Sequence, residues 1–274
     1  MLNGSTLENN AMTAVGVIES IWRYPVKSMG GEQLDEVFVA FAGVMGDRLY
    51  GLIDDKGNPA FPWHTAREQE DLLQYKPRYK RHSATLKPEH LEAAQSLGPG
   101  INPVYPDEEQ FAVEVETPDG QTFDLSSEAF MAHLKTVAKS DTLQLKFTQR
   151  SQYDCRPLSL FSLQTCGQLS EELAMEVDKR RFRANFYVTW SDGKPPLYEK
   201  DLVGSRLKIG DRLEISILER DPRCKIITLD PDTSEANPKI IKHVSQAHEG
   251  YAGVYGAVLV EGMVKTGDSV AVLD

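Results

Sequence analysis

The chain has few cysteines, and they follow no regular spacing. Its three cysteines, Cys155, Cys166 and Cys224, include no C-x-x-C pair, which argues against a disulfide framework and a structural zinc site. The six histidines are scattered and none forms H-E-x-x-H, so no metal-ligand spacing is present. Any cysteine chemistry is therefore expected to belong to a single thiol.

Long apolar runs and phosphate-binding loops are also absent. No stretch reaches the roughly 18 apolar residues that a membrane helix needs, and residues 1–13 lack the basic and then apolar order of a secretory signal. We therefore expect a flexible polar tail at residues 1–13, no membrane partner and a cytoplasmic location. The sequence contains no G-x-G-x-x-G, Walker or G-x-S-x-G motif, which disfavours Rossmann, P-loop and hydrolase enzymes.

The composition is typical of a soluble globular protein with an acidic surface. Hydrophobic residues make up 41% and charged residues 26% of the 274 residues, which is close to the average for folded domains. Lys and Arg number 30 against 41 Asp and Glu, a formal net charge of -11. A nucleic acid would have to approach this acidic surface, so we expect no nucleic-acid partner.

Short strands separated by turns dominate the hydrophobic pattern. In the first half, strands are predicted near residues 15–21, 34–41, 49–54, 111–115, 122–125 and 143–147. In the second half they are predicted near residues 207–209, 213–217, 226–229, 255–260 and 269–273. This pattern predicts a mainly β fold with a few helices (α+β) and a barrel-like architecture. A domain boundary is expected near residue 150.

Four helices are predicted between these strands. One covers residues 127–138, and a short one lies near residues 88–96. The third is capped near Ser162 and buries Cys166. The fourth starts at Pro238 with Asn237 as its cap, because proline is favoured at the first helical position.

Cys224 is the thiol with the most distinctive surroundings. It follows the predicted strand at residues 213–217, and Arg223 and Lys225 flank it. Positive neighbours favour the thiolate, which is both a nucleophile and a ligand for a soft metal. The alternative is that Cys224 is a small buried side chain whose charged neighbours face water.

Three other segments carry cations or amides suited to an anion. Lys27 and Ser28 follow a strand and a proline, and they could bind a phosphate or form an ordinary turn. Arg48 could hold an anion or pair with Asp47. The segment at residues 180–185 is predicted to open a strand, in which alternation puts Arg183 and Asn185 on one side. Its basic residues could equally complement a helix end.

Together these segments resemble the MOSC-domain proteins. The sequences IWRYPVKS (residues 21–28) and GDR (46–48) are similar to the MOSC N-terminal β-barrel module. The MOSC domain itself is resembled by RFRAN (181–185), DLVGSRLKIG (201–210), PRC (222–224), TLDPDT (228–233) and VKTGDSV (264–270). The resemblance implies an N-terminal β-barrel-like module at residues 14–150 and a MOSC β-barrel domain at residues 151–274.

Within this family, the chain resembles the amidoxime reducing components and the bacterial reductases of N-hydroxylated bases. The resemblance implies a molybdenum-pterin cofactor (Mo-molybdopterin), with Cys224 as metal ligand and catalytic residue. It implies cofactor contacts from Lys27, Ser28, Arg48, Arg183, Asn185, Arg223 and Tyr255. It also implies reduction of a small N-hydroxylated or N-oxide substrate. Ala184 stands where the family usually has proline, a change expected to alter local rigidity.

The resemblance also suggests partners and alternatives. No cysteine follows Cys224, so an iron-sulfur site is not expected and electrons should come from a separate protein of ferredoxin, flavodoxin, cytochrome b5 or flavin reductase type. The wider family that the chain resembles includes cofactor sulfurases, and pyridoxal phosphate binding is associated with that wider family. Sulfur transfer through a persulfide on Cys224 is therefore the main alternative, and a non-enzymatic binding module is a third.

Overall fold

Strands dominate the computed structural model, which describes residues 13–58, 60–81, 86, 108–149 and 152–273. The predicted helix near residues 88–96 and residues 1–12 of the predicted tail lie outside the described residues. The described strands and α-helices are numbered below in chain order.

The first half of the described chain contains ten strands and one α-helix. They are β1 (Ala14–Arg23), β2 (Glu32–Leu34), β3 (Glu36–Ala40), β4 (Gly43–Val44), β5 (Tyr50–Asn58), β6 (Phe61–His64), β7 (Lys76–Tyr79), β8 (Val113–Glu116), β9 (Thr122–Asp124), α1 (Glu128–Ala138) and β10 (Leu143–Phe147). Ser127 caps α1, since its Oγ accepts a hydrogen bond of 3.2 Å from the amide of Phe130. The predicted helix at residues 127–138 is confirmed.

The second half contains seven strands and two α-helices among its described residues. They are β11 (Leu158–Ser162), α2 (Leu163–Leu173), β12 (Phe186–Trp190), β13 (Arg206–Ile209), β14 (Leu213–Pro222), α3 (Pro238–Ala247), β15 (Tyr251–Val260), β16 (Gly262–Lys265) and β17 (Ser269–Leu273). Ser162 caps α2 and Asn237 caps α3, as predicted. The apolar faces of both helices pack into one core with Ile227.

Seven strands close into a barrel. Their order is β12-β11-β15-β14-β13-β17-β1, and β1 closes the ring by pairing with β12. The neighbours are antiparallel except for the parallel pair β11 and β12. Inward residues such as Ile215, Ile217 and Val254 are almost fully buried, as expected for a filled small barrel. The predicted mainly β, barrel-type fold is confirmed.

Three smaller sheets, each of three strands, enclose a second core in the first half. Their orders are β10-β5-β6, β16-β3-β4 and β7-β8-β9. Strand β16 comes from the second half and pairs with β3, whereas β1 comes from the first half and belongs to the seven-stranded barrel. Each half thus contributes at least one strand to the sheets of the other, since β2 also pairs with β1 at the edge of the barrel sheet. The domain division at residue 150 stays a prediction.

The segment after Cys224 is a 3-10 helix, Lys225–Thr228, so the strand predicted at residues 226–229 is wrong. The amide of Ile227 donates to the Cys224 carbonyl at 3.3 Å, and Thr228 Oγ1 donates to the Lys225 carbonyl at 2.7 Å. Ile227 and Thr228 are both buried although they are adjacent. The apolar run therefore reflects a buried turn rather than the alternation of a strand.

Candidate functional site

A cavity of about 340 Å³ lies between the barrel and the first half of the chain. Loops after β1, before β5 and at the end of β14 contribute to its lining. It is lined by all eight predicted site residues: Lys27, Ser28, Arg48, Arg183, Asn185, Arg223, Cys224 and Tyr255. The structure therefore brings the whole predicted set together, while the roles of its members stay predictions.

Cys224 lies two residues beyond the end of β14 and caps the N-terminus of the 3-10 helix Lys225–Thr228. Lys225 does not act on it as expected, because the Lys225 ammonium pairs with Glu70 at 2.6 Å. A cation that interacts with the thiol is Arg67, which lines the cavity together with Cys224. Burial lowers the pKa of Arg67, but its interaction with Cys224 and the negative charges of Asp154 and Glu68 raise it overall.

A second thiol lines the same cavity. Cys155 is exposed and belongs to the segment between β10 and β11. Burial raises its pKa, and the negative charges of Asp154 and Asp221 add to the rise. Two free cysteines therefore face one cavity, and the expectation that cysteine chemistry belongs to a single thiol stays a prediction.

Arg223 connects the site to the barrel. Its Nε donates to the Ala252 carbonyl at 2.6 Å and its Nη1 to the Phe182 carbonyl at 3.0 Å. Its Nη2 lies 2.7 Å from Oδ2 of Asp221, which is 1% exposed. That contact is an ion pair without hydrogen-bond geometry, because Nη2 and both Asp221 oxygens lack a hydrogen-bond partner. Burial raises the pKa of Asp221 to about 6, against the opposing effect of Arg223.

Gly253 makes room for this arginine. Its φ is +81°, and a Cβ there would lie 2.8 Å from the Leu160 carbonyl oxygen and 3.0 Å from Arg223 Nη2. Glycine adopts this backbone conformation without the steric cost of a side chain. The close approach of β15 to the guanidinium therefore depends on glycine at this position.

Arg48 and Arg183 lie against the ring of Tyr24. Their guanidinium carbons are 4.7 and 4.2 Å from its centroid, and Arg48 Nη2 also donates to the Arg183 carbonyl at 3.0 Å. The Arg48 side chain pairs with Asp47 as well. Arg183 Nη2 is buried without a hydrogen-bond partner, and burial lowers the pKa of this guanidinium to about 10.

Backbone conformation distinguishes three of the predicted residues. Ser28, Arg48 and Arg183 have φ of 67°, 49° and 52°, in the left-handed region that costs a residue with a side chain about 1–2 kcal/mol. Arg183 ends a 3-10 helix, Lys179–Phe182, rather than lying in a strand. The predicted alternation of Arg183 with Asn185 is therefore wrong, although both residues reach the cavity.

Lys27 and Asn185 already have protein partners. The Lys27 ammonium donates to the Gln152 carbonyl at 2.9 Å and pairs with Asp154. Burial lowers its pKa, whereas the charge of Lys27 holds the pKa of Asp154 below its usual value against the effect of burial. Asn185 Oδ1 accepts from the amide and the hydroxyl of Ser159, both at 3.2 Å. Its side chain thus joins the start of β12 to β11.

Sequence reasoning missed several lining residues. They are Arg67, Asp154, Cys155, Arg156, Ser159 and Asp221. Asp221 directly precedes the PRC motif, so its position next to that motif could have identified it as a lining residue. Arg67 and Asp154 lie in segments without a recognisable pattern, and only the packing of the two halves brings them to Cys224 and Lys27.

Fold and site together define a β-barrel protein with a cation-lined cavity beside a thiol. Comparison with known families gives two matches, the MOSC N-terminal beta barrel domain over residues 15–154 and the MOSC domain over residues 147–271. The chain therefore belongs to the MOSC family and carries both of these domains. Within the described residues, no helix has the length and apolar character needed to cross a membrane.

Individual relatives are distant. The chain is 25% identical to mitochondrial amidoxime reducing component 2 of Rattus norvegicus over 243 residues, which cover 80% of this chain and 68% of the rat protein. It is 25% identical to the Macaca fascicularis protein of the same name over 245 residues, 82% of this chain and 70% of that protein. The solved YUAD protein from Bacillus subtilis aligns over 94% of this chain and 95% of its own, with a TM-score of 0.47 and 14% identity.

Proposed function

We propose that this protein is a molybdenum-cofactor-dependent reductase that removes oxygen from N-hydroxylated or N-oxide compounds. Two electrons and two protons convert the N–O group into an amine or amidine and water. The electrons come from a separate protein of ferredoxin, flavodoxin, cytochrome b5 or flavin reductase type. Membership of the MOSC family and the names of the mammalian relatives support this class of activity.

The observation that carries the proposal is the cationic lining of the cavity. Six cationic side chains line it against two acidic ones: Lys27, Arg48, Arg67, Arg156, Arg183 and Arg223, against Asp154 and Asp221. This excess of positive charge lies in a protein of net charge -11. This excess of positive charge would attract a bound phosphate group.

The residues fit a molybdenum-pterin group in their chemistry as well. Cys224 offers a soft sulfur ligand at the cavity lining, and Arg67 lines the cavity beside it. Lys27, Ser28, Arg48, Arg183 and Arg223 would hold the phosphate, and Asn185 and Tyr255 would flank the pterin. The bound group would supply the two-electron chemistry, while the protein positions it and excludes competing ligands.

Two acidic groups of the protein could donate the two protons that the reduction consumes. Asp221 is buried at the cavity and its pKa is raised to about 6, so a fraction of its carboxyl group keeps a proton near neutral pH. Tyr255 lines the same cavity, and burial together with the negative charge of Asp221 raises its pKa, so its hydroxyl stays protonated. These two groups are the candidates for supplying protons while water forms.

The first experiment measures molybdenum and pterin in protein from a host that makes the cofactor. We expect near-stoichiometric molybdenum in the parent and in Cys155→Ser, and little in Cys224→Ser. The matched cysteine control separates loss of a ligand from a general effect of removing a cavity thiol. The loaded parent should then reduce an aryl amidoxime with a reduced viologen as electron source. Molybdenum retained by Cys224→Ser, or absent from the parent, would overturn the assignment.

A second function is favoured by the presence of Cys155. In sulfur transfer, Cys224 would carry a persulfide, and attack by a neighbouring thiolate on its inner sulfur would release the outer sulfur as hydrosulfide and leave a disulfide. Two free cysteines on one cavity provide the pair that this step needs. After incubation with a cysteine desulfurase and cysteine, mass spectrometry should find one added sulfur on Cys224. An unmodified Cys224 in a metal-free parent would exclude this alternative.

A further inference from the structure

A group of metal-ligating atoms lies outside the cavity, at the contact between α2 and α3. Glu172, near the end of α2, faces His243 of α3 and His248, the residue that follows α3. One ligand atom from each of the three residues lies within 4.8 Å of the others. Their sequence spacing matches no metal motif, because the glutamate comes from a different helix.

The three side chains converge on one point. Glu172 Oε2 lies 2.6 Å from Nε2 of His243 and 2.7 Å from Nε2 of His248. Each imidazole therefore directs its Nε2 atom at the same carboxylate oxygen, Oε2 of Glu172. The other oxygen, Oε1, accepts a 2.9 Å hydrogen bond from Gln168 Nε2, one turn earlier in α2. This bond orients the carboxylate, as an outer partner commonly does for a metal-binding carboxylate.

We propose that Glu172, His243 and His248 form a zinc site with an open fourth position for water. Two imidazoles and one carboxylate are ligands that Zn²⁺ prefers, and three protein ligands plus water complete a tetrahedron. Ligand atoms about 2.0–2.1 Å from the ion are about 3.3 Å apart in that geometry. The observed separations of 2.6 and 2.7 Å therefore need to widen by about 0.6 Å, a change within side-chain rotation.

Partial burial suits a site of this kind. The Glu172, His243 and His248 side chains are 24%, 25% and 10% exposed, so an ion would be held on the protein side and reached by water on the other. The protein's net charge of -11 favours a cation. Because α2 and α3 pack with Ile227 in one core, zinc would stabilise the layer behind the segment that carries Cys224.

The experiment is a zinc titration of the full chain in competition with a chelating indicator. The parent should bind one zinc ion that His243→Ala, His248→Ala and Glu172→Gln each weaken at least tenfold. His133→Ala is the matched control, because His133 contacts Tyr75 in the first half, and it should keep the ion. Cys224→Ser should keep it too, which separates this site from the cavity thiols.

Two further measurements guard against misfolded variants. Zinc at a hundred times its dissociation constant should raise the Tm of the parent by about 5 °C and that of correctly folded Glu172→Gln by at most about half as much, because tenfold weaker binding leaves zinc at about ten times the variant's dissociation constant. Cobalt in place of zinc should give a d–d spectrum without a thiolate charge-transfer band. An ion retained by all three variants, or one lost in Cys224→Ser, would overturn the site, as would a parent that binds no zinc.

Discussion

The two sides of the cavity differ in how their cations are paired. On the first side, called here the N-terminal wall (Lys27, Ser28 and Arg48), the two cations form ion pairs with Asp154 and Asp47. On the second, the barrel wall (Arg183 and Arg223), Arg223 is paired as well, with Asp221, whereas Arg183 keeps a buried Nη2 without a hydrogen-bond partner. Lys27, Arg48 and Arg223 therefore share their charge with acids that are already present, and the guanidinium of Arg183 differs from them in its unpartnered nitrogen.

Backbone conformation groups these residues differently from their ion pairing. Ser28 and Arg48 of the N-terminal wall and Arg183 of the barrel wall adopt the left-handed backbone conformation, which a folded protein retains where the surrounding structure demands it. Arg223 follows β14 and is held by two barrel carbonyls instead. Loops with a left-handed backbone therefore position Ser28, Arg48 and Arg183, whereas hydrogen bonds to the barrel position Arg223.

The largest effect is expected from breaking the barrel wall at Arg223. Arg223→Met leaves the carboxylate of Asp221 buried without its partner, which should lower the free energy of unfolding by about 3–5 kcal/mol. Arg156→Met is the control, because Arg156 forms a half-exposed ion pair with Glu219 and should cost at most about 1 kcal/mol. Urea denaturation at pH 7 measures both. Equal losses in the two variants would contradict the special position of Arg223.

A smaller effect is expected when the backbone beside Arg223 is perturbed. Gly253→Ala introduces a Cβ at φ +81°, in contact with the Leu160 carbonyl oxygen, and should lower stability by about 1–3 kcal/mol. Gly120→Ala is a control for conformation alone, because Gly120 has φ +83° and no atom within 4 Å of an added Cβ. Thermal unfolding should show the greater loss for Gly253→Ala. Molybdenum content should fall in that variant only.

The pH dependence of stability tests the buried acid of the barrel wall. The pKa of Asp221 rises from 3.8 to about 6 on folding, so between these values the folded state binds more protons than the unfolded chain. The stabilisation is complete below pH 3.8 and is lost as pH rises through 6. Relative to Asp221→Asn, the parent should lose about 1 kcal/mol between pH 5 and pH 7 in urea denaturation. Parallel stabilities of the two proteins would contradict the shifted pKa.

The smallest effect is expected when one ion pair of the N-terminal wall is removed. Asp154→Asn removes the anion that pairs with Lys27, so inorganic phosphate should bind the cofactor-free protein about three- to fivefold more tightly, a gain of about 1 kcal/mol or less. Isothermal titration calorimetry measures the affinity. Asp124→Asn, which removes an exposed ion pair with Lys80 outside the cavity, should leave it unchanged. An unaltered affinity in Asp154→Asn would mean that Lys27 is not part of the anion site.

Local patterns in the sequence determined much of this protein. Alternating apolar residues indicated most of the strands, and Ser127, Ser162, Asn237 and Pro238 marked helix starts correctly, because capping depends on residues within one turn. The family motifs brought eight residues forward, and all eight line one cavity. These residues could be identified because each lies in or near a short segment that resembles a family motif, and the segments follow the expected order along the chain.

Only the tertiary structure decided which groups meet. No local pattern predicted that β1 closes the second-half barrel, that Arg67 lies beside Cys224 in place of Lys225, or that Glu172 faces one histidine of α3 and the histidine that follows it. The left-handed backbone of Arg183 was equally hidden, since residues with a side chain rarely adopt it. Such contacts join residues that are distant in the chain, and they follow from packing the whole core rather than from the propensities of neighbouring residues.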